Sequence, residues 1–184
     1  MRWLWLAFKP VPVLGLTLWV LEAPESAYRN RLAAGLALSL IGDVLIEWSF
    51  AAGLAAFLLG HIAYIAAFLA DTARPRLLRA LPIAAYGAGM AAFLWSGLGD
   101  LRPAVVAYVV AICTMVWRAA ARVGRSGAPR AGEWAGLAGA IFFALSDTLI
   151  ALDRFHGPVP YARVPIILLY WTGQAGIAWS ARSR

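Results

Sequence analysis

Two carboxylates interrupt long apolar stretches of this chain: Asp43, within Leu40-Ile41-Gly42-Asp43-Val44-Leu45-Ile46, and Asp147, within Leu145-Ser146-Asp147-Thr148-Leu149-Ile150. His61 does the same within Leu59-Gly60-His61-Ile62-Ala63-Tyr64. A carboxyl group in low-dielectric surroundings favours its neutral form and can donate a proton near neutral pH. An imidazole nearby can shuttle that proton or orient a water. Asp43, Asp147 and His61 are therefore the candidate catalytic residues. Candidate substrate-positioning groups stand close to them or at helical spacing: Tyr64 three residues after His61, Ser146 beside Asp147, and Tyr170 with Gln174 four residues apart.

The elements that carry these groups follow from composition. The chain has 184 residues, 62% hydrophobic and 14% charged, against about 25% charged in soluble domains. A soluble domain of this size has too little interior for so much apolar surface. In lipid only helices and closed barrels satisfy the backbone, and these runs are too long and continuous for barrel strands. The expected fold is all-α: one integral membrane domain over 1–184, a polytopic transmembrane bundle with seven helices visible. Its spans run over 3–21, 32–48, 53–70, 80–96, 104–121, 134–152 and 164–181, each about long enough for ~30 Å of hydrocarbon. Of the 16 basic and 9 acidic residues, only Lys9, Asp43, Glu47, Arg118 and Asp147 fall inside them. The connections carry turn chemistry, as in Glu22-Ala23-Pro24-Glu25 and Gly157-Pro158-Val159-Pro160.

Depth brings the candidates together. Asp43 and Asp147 each lie five residues from the outer end of their span, about 7–8 Å below one surface at 1.5 Å per residue. The same rise puts His61 about 12 Å and Gln174 about 15 Å from that surface. Polar groups from spans 2, 3, 6 and 7 thus share a layer, and an intramembrane carboxylate is a functional candidate by default.

The net charge of +7 does not mark a nucleic-acid partner, because the basic residues cap helix ends. Arg2, Lys9, Arg102, Arg154 and Arg163 fall on one side, and the remaining eleven, from Arg29 to Arg184, on the other. The excess predicts a cytoplasmic C-terminus and an outside N-terminus, as in a bacterial-type inner membrane. Trp3, Trp5, Trp19, Trp48, Trp95, Trp117, Trp134 and Trp179 lie near span ends, as an interfacial belt requires. Trp171 is the exception. The basic start followed by an apolar run imitates a signal peptide, but no A-x-A-like site follows, and it reads as a retained helix. Cys113 stands alone, which excludes a disulfide frame. Lys9 is the single lysine and too near the start of its span for a retinal Schiff base. No Walker or dinucleotide motif is present. No H-E-x-x-H or Cys/His cluster offers a metal site, so no cofactor is expected; the alternative is zinc on His61, Asp43 and Asp147.

Each candidate also has a structural reading. Asp43 or Asp147 can bond between helices or pair with Arg118, and a lone His61 can be a satisfied core group. Glu47, at the interface, reads as structural, Arg118 as an interfacial anchor, His156 as surface. Ser146 lacks a neighbouring base for nucleophilic chemistry. The pattern small-Asp-x-Leu-Ile occurs twice, at Gly42–Ile46 and Ser146–Ile150, a weak sign of an internal repeat such as transporters use.

The chain resembles the YhhN-like family, the lysoplasmalogenases, which includes transmembrane protein 86. The residues that carry the resemblance are Lys9-Pro10, Gly42-Asp43, Gly60-His61-Ile62-Ala63-Tyr64 with Ala67-Phe68, and Trp117-Arg118-Ala119. They continue through Gly139 to Asp147, Ile150-Ala151-Leu152, Phe155, Pro158 to Arg163, Tyr170 and Gln174. The family has eight helices, so the resemblance implies one more before the first span seen here. It implies a membrane-embedded hydrolase that cleaves the vinyl ether bond of lysoplasmalogens, releasing a fatty aldehyde and glycerophospho-ethanolamine or -choline. Protonation of the vinyl ether gives an oxocarbenium ion that water attacks, close to the two-carboxylate logic of glycoside hydrolysis. Asp43 and Asp147 are expected to form that pair, with His61 as shuttle and Tyr64, Tyr170 and Gln174 positioning water or head group. The sequence leaves open which aspartate is the acid. The alternative is a small transporter or lipid-binding protein in which Asp43, Asp147 and His61 form a relay; aldehyde release separates the two.

Overall fold

A computed structural model describes residues 9–124 and 129–183. Among them run seven α-helices: α1 Val11–Leu21, α2 Ala27–Leu45, α3 Phe50–Asp71, α4 Ala80–Leu94, α5 Arg102–Arg122, α6 Arg130–Phe155 and α7 Arg163–Arg182. Short 3-10 turns flank α4 at Leu77–Arg79 and Trp95–Gly97, and Gly99–Leu101 leads into α5. The all-helical expectation holds. By length and apolar composition four segments can cross a membrane: Phe50–Asp71, Leu77–Gly97, Gly99–Arg122 and Arg130–Phe155. The first part of the expected span 3–21, with Arg2, Trp3 and Trp5, lies outside the described residues, as do Arg125 and Arg184.

Helix starts follow local chemistry. Ser26 and Ser49 cap α2 and α3, their hydroxyls accepting from the backbone N–H groups of Arg29 (3.1 Å) and Ala52 (3.3 Å). Pro103 occupies the first turn of α5, where its missing N–H costs nothing.

Two antiparallel hairpins, α2–α3 and α6–α7, form the frame. Small residues set their spacing, because lipid supplies no hydrophobic drive between helices and close packing must. A Cβ on Gly139 would stand 2.5 Å from the Gly173 carbonyl oxygen, so α6 and α7 meet backbone to backbone. Gly35 likewise leaves room for the Tyr64 ring, which a Cβ would approach to 2.3 Å. Helix α5 packs on α3 and α6, and α1 on α2 and α7. Helix α4 buries only Gly87 and Leu94. It reaches α6 through a 2.8 Å hydrogen bond between the Tyr86 and Thr148 hydroxyls.

The core joins Leu32, Leu36, Phe57, Tyr64, Phe68, Met115, Phe143 and Ile177 across the hairpins. Trp48, Trp95, Trp134 and Trp179 are exposed, as a belt predicts. Trp171, away from the belt, instead ties α7 to the chain ahead of α1, its indole Nε1 donating to the Lys9 carbonyl oxygen at 3.2 Å.

Candidate active site

The polar layer assembles near one end of the two hairpins. Asp43, in the last turn of α2, is buried, and its Oδ2 accepts a 2.7 Å hydrogen bond from the Tyr170 hydroxyl of α7. Asp147, toward the end of α6, accepts at Oδ2 from the Tyr108 hydroxyl of α5 at 2.5 Å. His61 is fully buried, edge-on to Tyr108 at 5.0 Å and tilted against Phe143 at 4.9 Å between ring centroids. Its Nε2 stands 4.0 Å from Asp147 Oδ2, one short movement from a hydrogen bond.

A second polar chain runs deeper. The Tyr64 hydroxyl donates to Gln174 Oε1 at 2.7 Å and stands 3.4 Å from the Ser39 hydroxyl. Tyr170 and Gln174, one turn apart on α7, bring this chain beside Asp43. All of these side chains are buried. Ser146 is buried too, and its hydroxyl donates to the Ile166 carbonyl oxygen at 2.9 Å, tying α6 to the start of α7.

Asp43, Asp147, His61, Tyr64, Tyr170 and Gln174 are thus brought together, in keeping with their common depth. Two partners were missed. Lys9 Nζ lies 3.3 Å from Asp43 Oδ1. Its position before a proline and its status as the single lysine were the available signals. Tyr108 gave none beyond its place in α5, two turns from that helix's start. Arg118 pairs with neither aspartate. Its guanidinium donates to the backbone oxygens of Thr72 and Arg74, fixing the turn after α3. His156 is exposed, with its ring 4.7 Å from that of Phe93.

Two adjoining cavities lie near this layer, and Asp147 lines the first. The apolar one, about 330 Å³, lies among α3, α4, α5 and α6, not among α2, α3, α6 and α7 where the layer alone would place it. Leu54, Phe57, Ile83, Met90, Val109 and Cys113 are in its wall, and Asp147, Thr148 and Tyr108 supply the polar groups. The other, about 550 Å³, is polar and includes Lys9, Glu47 and Arg154. Both are bounded by Ile46, Phe50 and Ile150. Asp147 keeps 15% of its side chain accessible against 1% for Asp43, so it is the more accessible of the two. Among the described residues no group of three or more His, Cys, Asp or Glu side chains is placed to hold a metal ion.

Comparison with known proteins bears on this arrangement. The chain is 35% identical to lysoplasmalogenase TMEM86B of Sus scrofa, over 97% of its own length and 75% of the relative's. It is 36% identical to lysoplasmalogenase TMEM86A of Homo sapiens, over 97% and 78% respectively. A lysoplasmalogenase of Mycobacterium bovis is 32% identical, over 81% of this chain and 59% of that one. No solved structure matches. The profile of the YhhN family matches residues 4–181, every element of both hairpins included, and the chain belongs to that family.

Proposed function

We propose that this chain is a lysoplasmalogenase, hydrolysing the vinyl ether bond of a lysophospholipid within the membrane. The relatives' names carry the reaction class. The observation that carries the geometry is Asp147 in the wall of an apolar cavity that shares Ile46, Phe50 and Ile150 with a polar one, Ile150 lying three residues after Asp147. A lysoplasmalogen changes from apolar to polar at its vinyl ether, so a tail in the apolar cavity brings that bond to Asp147.

Asp147, as the neutral acid, transfers its proton to the β-carbon of the vinyl ether, leaving an oxocarbenium ion and a carboxylate. Asp43, beside the Lys9 cation, acts as the anionic partner that stabilises the developing positive charge. Water adds to the α-carbon and gives up a proton, which returns to Asp147 through His61. The hemiacetal then loses its hydroxyl proton, its bond to the glycerol oxygen breaks, and that oxygen gains a proton. The net change is addition of one water, giving an aldehyde and a glycerophospho-alcohol. Tyr170, Gln174 and Tyr64 hold the water and the Asp43 side of the site, and Ser146 sets the α6–α7 spacing beside it. The basic excess supports a cytoplasmic C-terminus and an outside N-terminus, and the mycobacterial relative fits a bacterial inner membrane.

The test is aldehyde release from a lysoplasmenyl lipid by purified protein in detergent. Asp147→Asn is expected to lower kcat by about 10²–10⁴, the range of one general acid, and Asp43→Asn by a smaller factor. Near-wild-type rates in both folded variants would end the carboxylate mechanism. Proton-coupled uptake without aldehyde would instead identify a transporter.

A further inference from the structure

The polar cavity carries more charge, of both signs, than the chemistry at Asp147 uses. Lys9, Arg154 and Arg163 bring cations to it, and Glu47 a carboxylate. Asp153, also in its wall, accepts from the Val159 backbone N–H at 2.8 Å and shapes the α6–α7 connection. Arg154 stacks its guanidinium 5.3 Å above the Phe50 ring, and Phe50 bounds both cavities. The guanidinium is thereby held at the junction where a lipid's glycerol must lie. Guanidinium groups bind phosphate through paired, charge-assisted hydrogen bonds.

Tyr161 stands at the rim of the same cavity and is 92% exposed. Its φ of 58° puts it in the left-handed region, which is unfavourable for a residue with a ring side chain. Packing gains little from so exposed a ring, and strain of this kind gathers at ligand-binding positions. Tyr161 and Glu47 line the same cavity, and an aromatic face together with a carboxylate is what an alkylammonium group recognises.

We infer that the polar cavity is the head-group subsite, in which Arg154 and Arg163 take the phosphodiester and Glu47 with Tyr161 the ammonium of a zwitterionic lysophospholipid. The inference rests on the lipid-hydrolase reading above and assigns the residues that hold the substrate's head group. It also moves the head group away from Tyr64 and Gln174, which are buried in the helix core.

The probe is a non-cleavable 1-O-alkyl lysophosphatidylcholine, with 1-O-alkylglycerol of equal chain length as the neutral control and 1-O-alkyl lysophosphatidic acid as the amine-free one. Binding is measured directly in detergent. The wild type is expected to favour the phosphocholine lipid over the neutral one, and Arg154→Gln with Arg163→Gln to reduce that preference at least about tenfold. Glu47→Gln is expected to narrow the preference for phosphocholine over the amine-free phosphate by about threefold. Equal binding of charged and neutral lipids by the wild type overturns the subsite, as does an equal loss of both in the arginine variant. Wild-type protein that keeps the preference but releases no aldehyde from a lysoplasmenyl lipid would support the subsite and defeat the hydrolase reading.

Discussion

Two buried charge clusters sit near opposite ends of the hairpins and are held in contrasting ways. At one end Arg122 Nε donates to Asp71 Oδ2 at 2.7 Å, and the guanidinium lies 4.7 Å from the Tyr28 ring and 5.1 Å from that of Phe68. Nearby, Glu133 accepts from the Gly124 N–H at 2.7 Å, and the Tyr28 and Ser180 hydroxyls stand 2.6 Å apart. At the other end Asp147 accepts from a tyrosine hydroxyl, has His61 4.0 Å away, and opens on a cavity. The Arg122 cluster pairs charge with charge in a buried packing. The Asp147 layer leaves a carboxyl group facing space that a ligand can occupy. The two clusters therefore differ in whether a carboxyl group is closed by an ion pair, as Asp71 is, or faces a cavity, as Asp147 does.

Breaking the paired cluster should give the largest effect, and on stability. Removing one member of a buried pair strands the other, at about 3–5 kcal/mol. Arg122→Met is expected to lower the thermal unfolding temperature in detergent sharply, while the specific activity of the remaining folded protein holds. Adding Asp71→Leu should recover part of the loss, because an apolar pair of similar volume removes the stranded charge. Equal loss of specific activity and stability would show that the two clusters are coupled.

The seam between the clusters comes next. Gly139 and Gly173 let α6 and α7 touch, and this contact sets Asp147 relative to Tyr170 and Gln174. Gly139→Ala forces a methyl against the Gly173 carbonyl oxygen, an overpacking cost of about 1–3 kcal/mol. Activity and unfolding temperature should fall together, unlike the separate effects at the two ends. Full activity with lowered stability would mean that the seam does not position the site.

Why the sequence revealed one end and not the other follows from where each cluster lies. Asp43, His61 and Asp147 stand out against apolar neighbours, and helical rise alone brings them to one depth. Asp71, Arg122 and Glu133 sit at helix termini among other charges, where a buried ion pair reads as ordinary interface polarity. The α6–α7 seam rests on Gly139 and Gly173, and which helices face each other is a tertiary property that composition does not carry. The apolar cavity was not legible for that reason: depth fixes a layer, whereas the lateral neighbours of Asp147 depend on α5 and α4. The repeated small-Asp-x-Leu-Ile pattern acquires a local meaning. Each copy places an isoleucine three residues after its aspartate, and those residues, Ile46 and Ile150, bound both cavities.

The smallest effects should divide the active layer itself. Tyr108 and Tyr170 each donate one hydrogen bond to one aspartate, at 2.5 Å and 2.7 Å, and phenylalanine keeps the ring while removing that bond. A hydrogen bond to a charged or acidic group contributes about 1.5 kcal/mol or somewhat more, roughly tenfold in rate if it acts in the transition state. Asp43 retains Lys9 at 3.3 Å when Tyr170 is changed. When Tyr108 is changed, Asp147 is left with His61 at 4.0 Å, beyond hydrogen-bond distance. Tyr108→Phe should therefore lower kcat about tenfold with little change in KM, and Tyr170→Phe only about threefold. The ordering follows from the roles assigned to the aspartates: orientation is critical for the group that delivers a proton to one carbon, and less so for one that supplies charge. A larger loss at Tyr170 than at Tyr108 would exchange those roles and make Asp43 the acid.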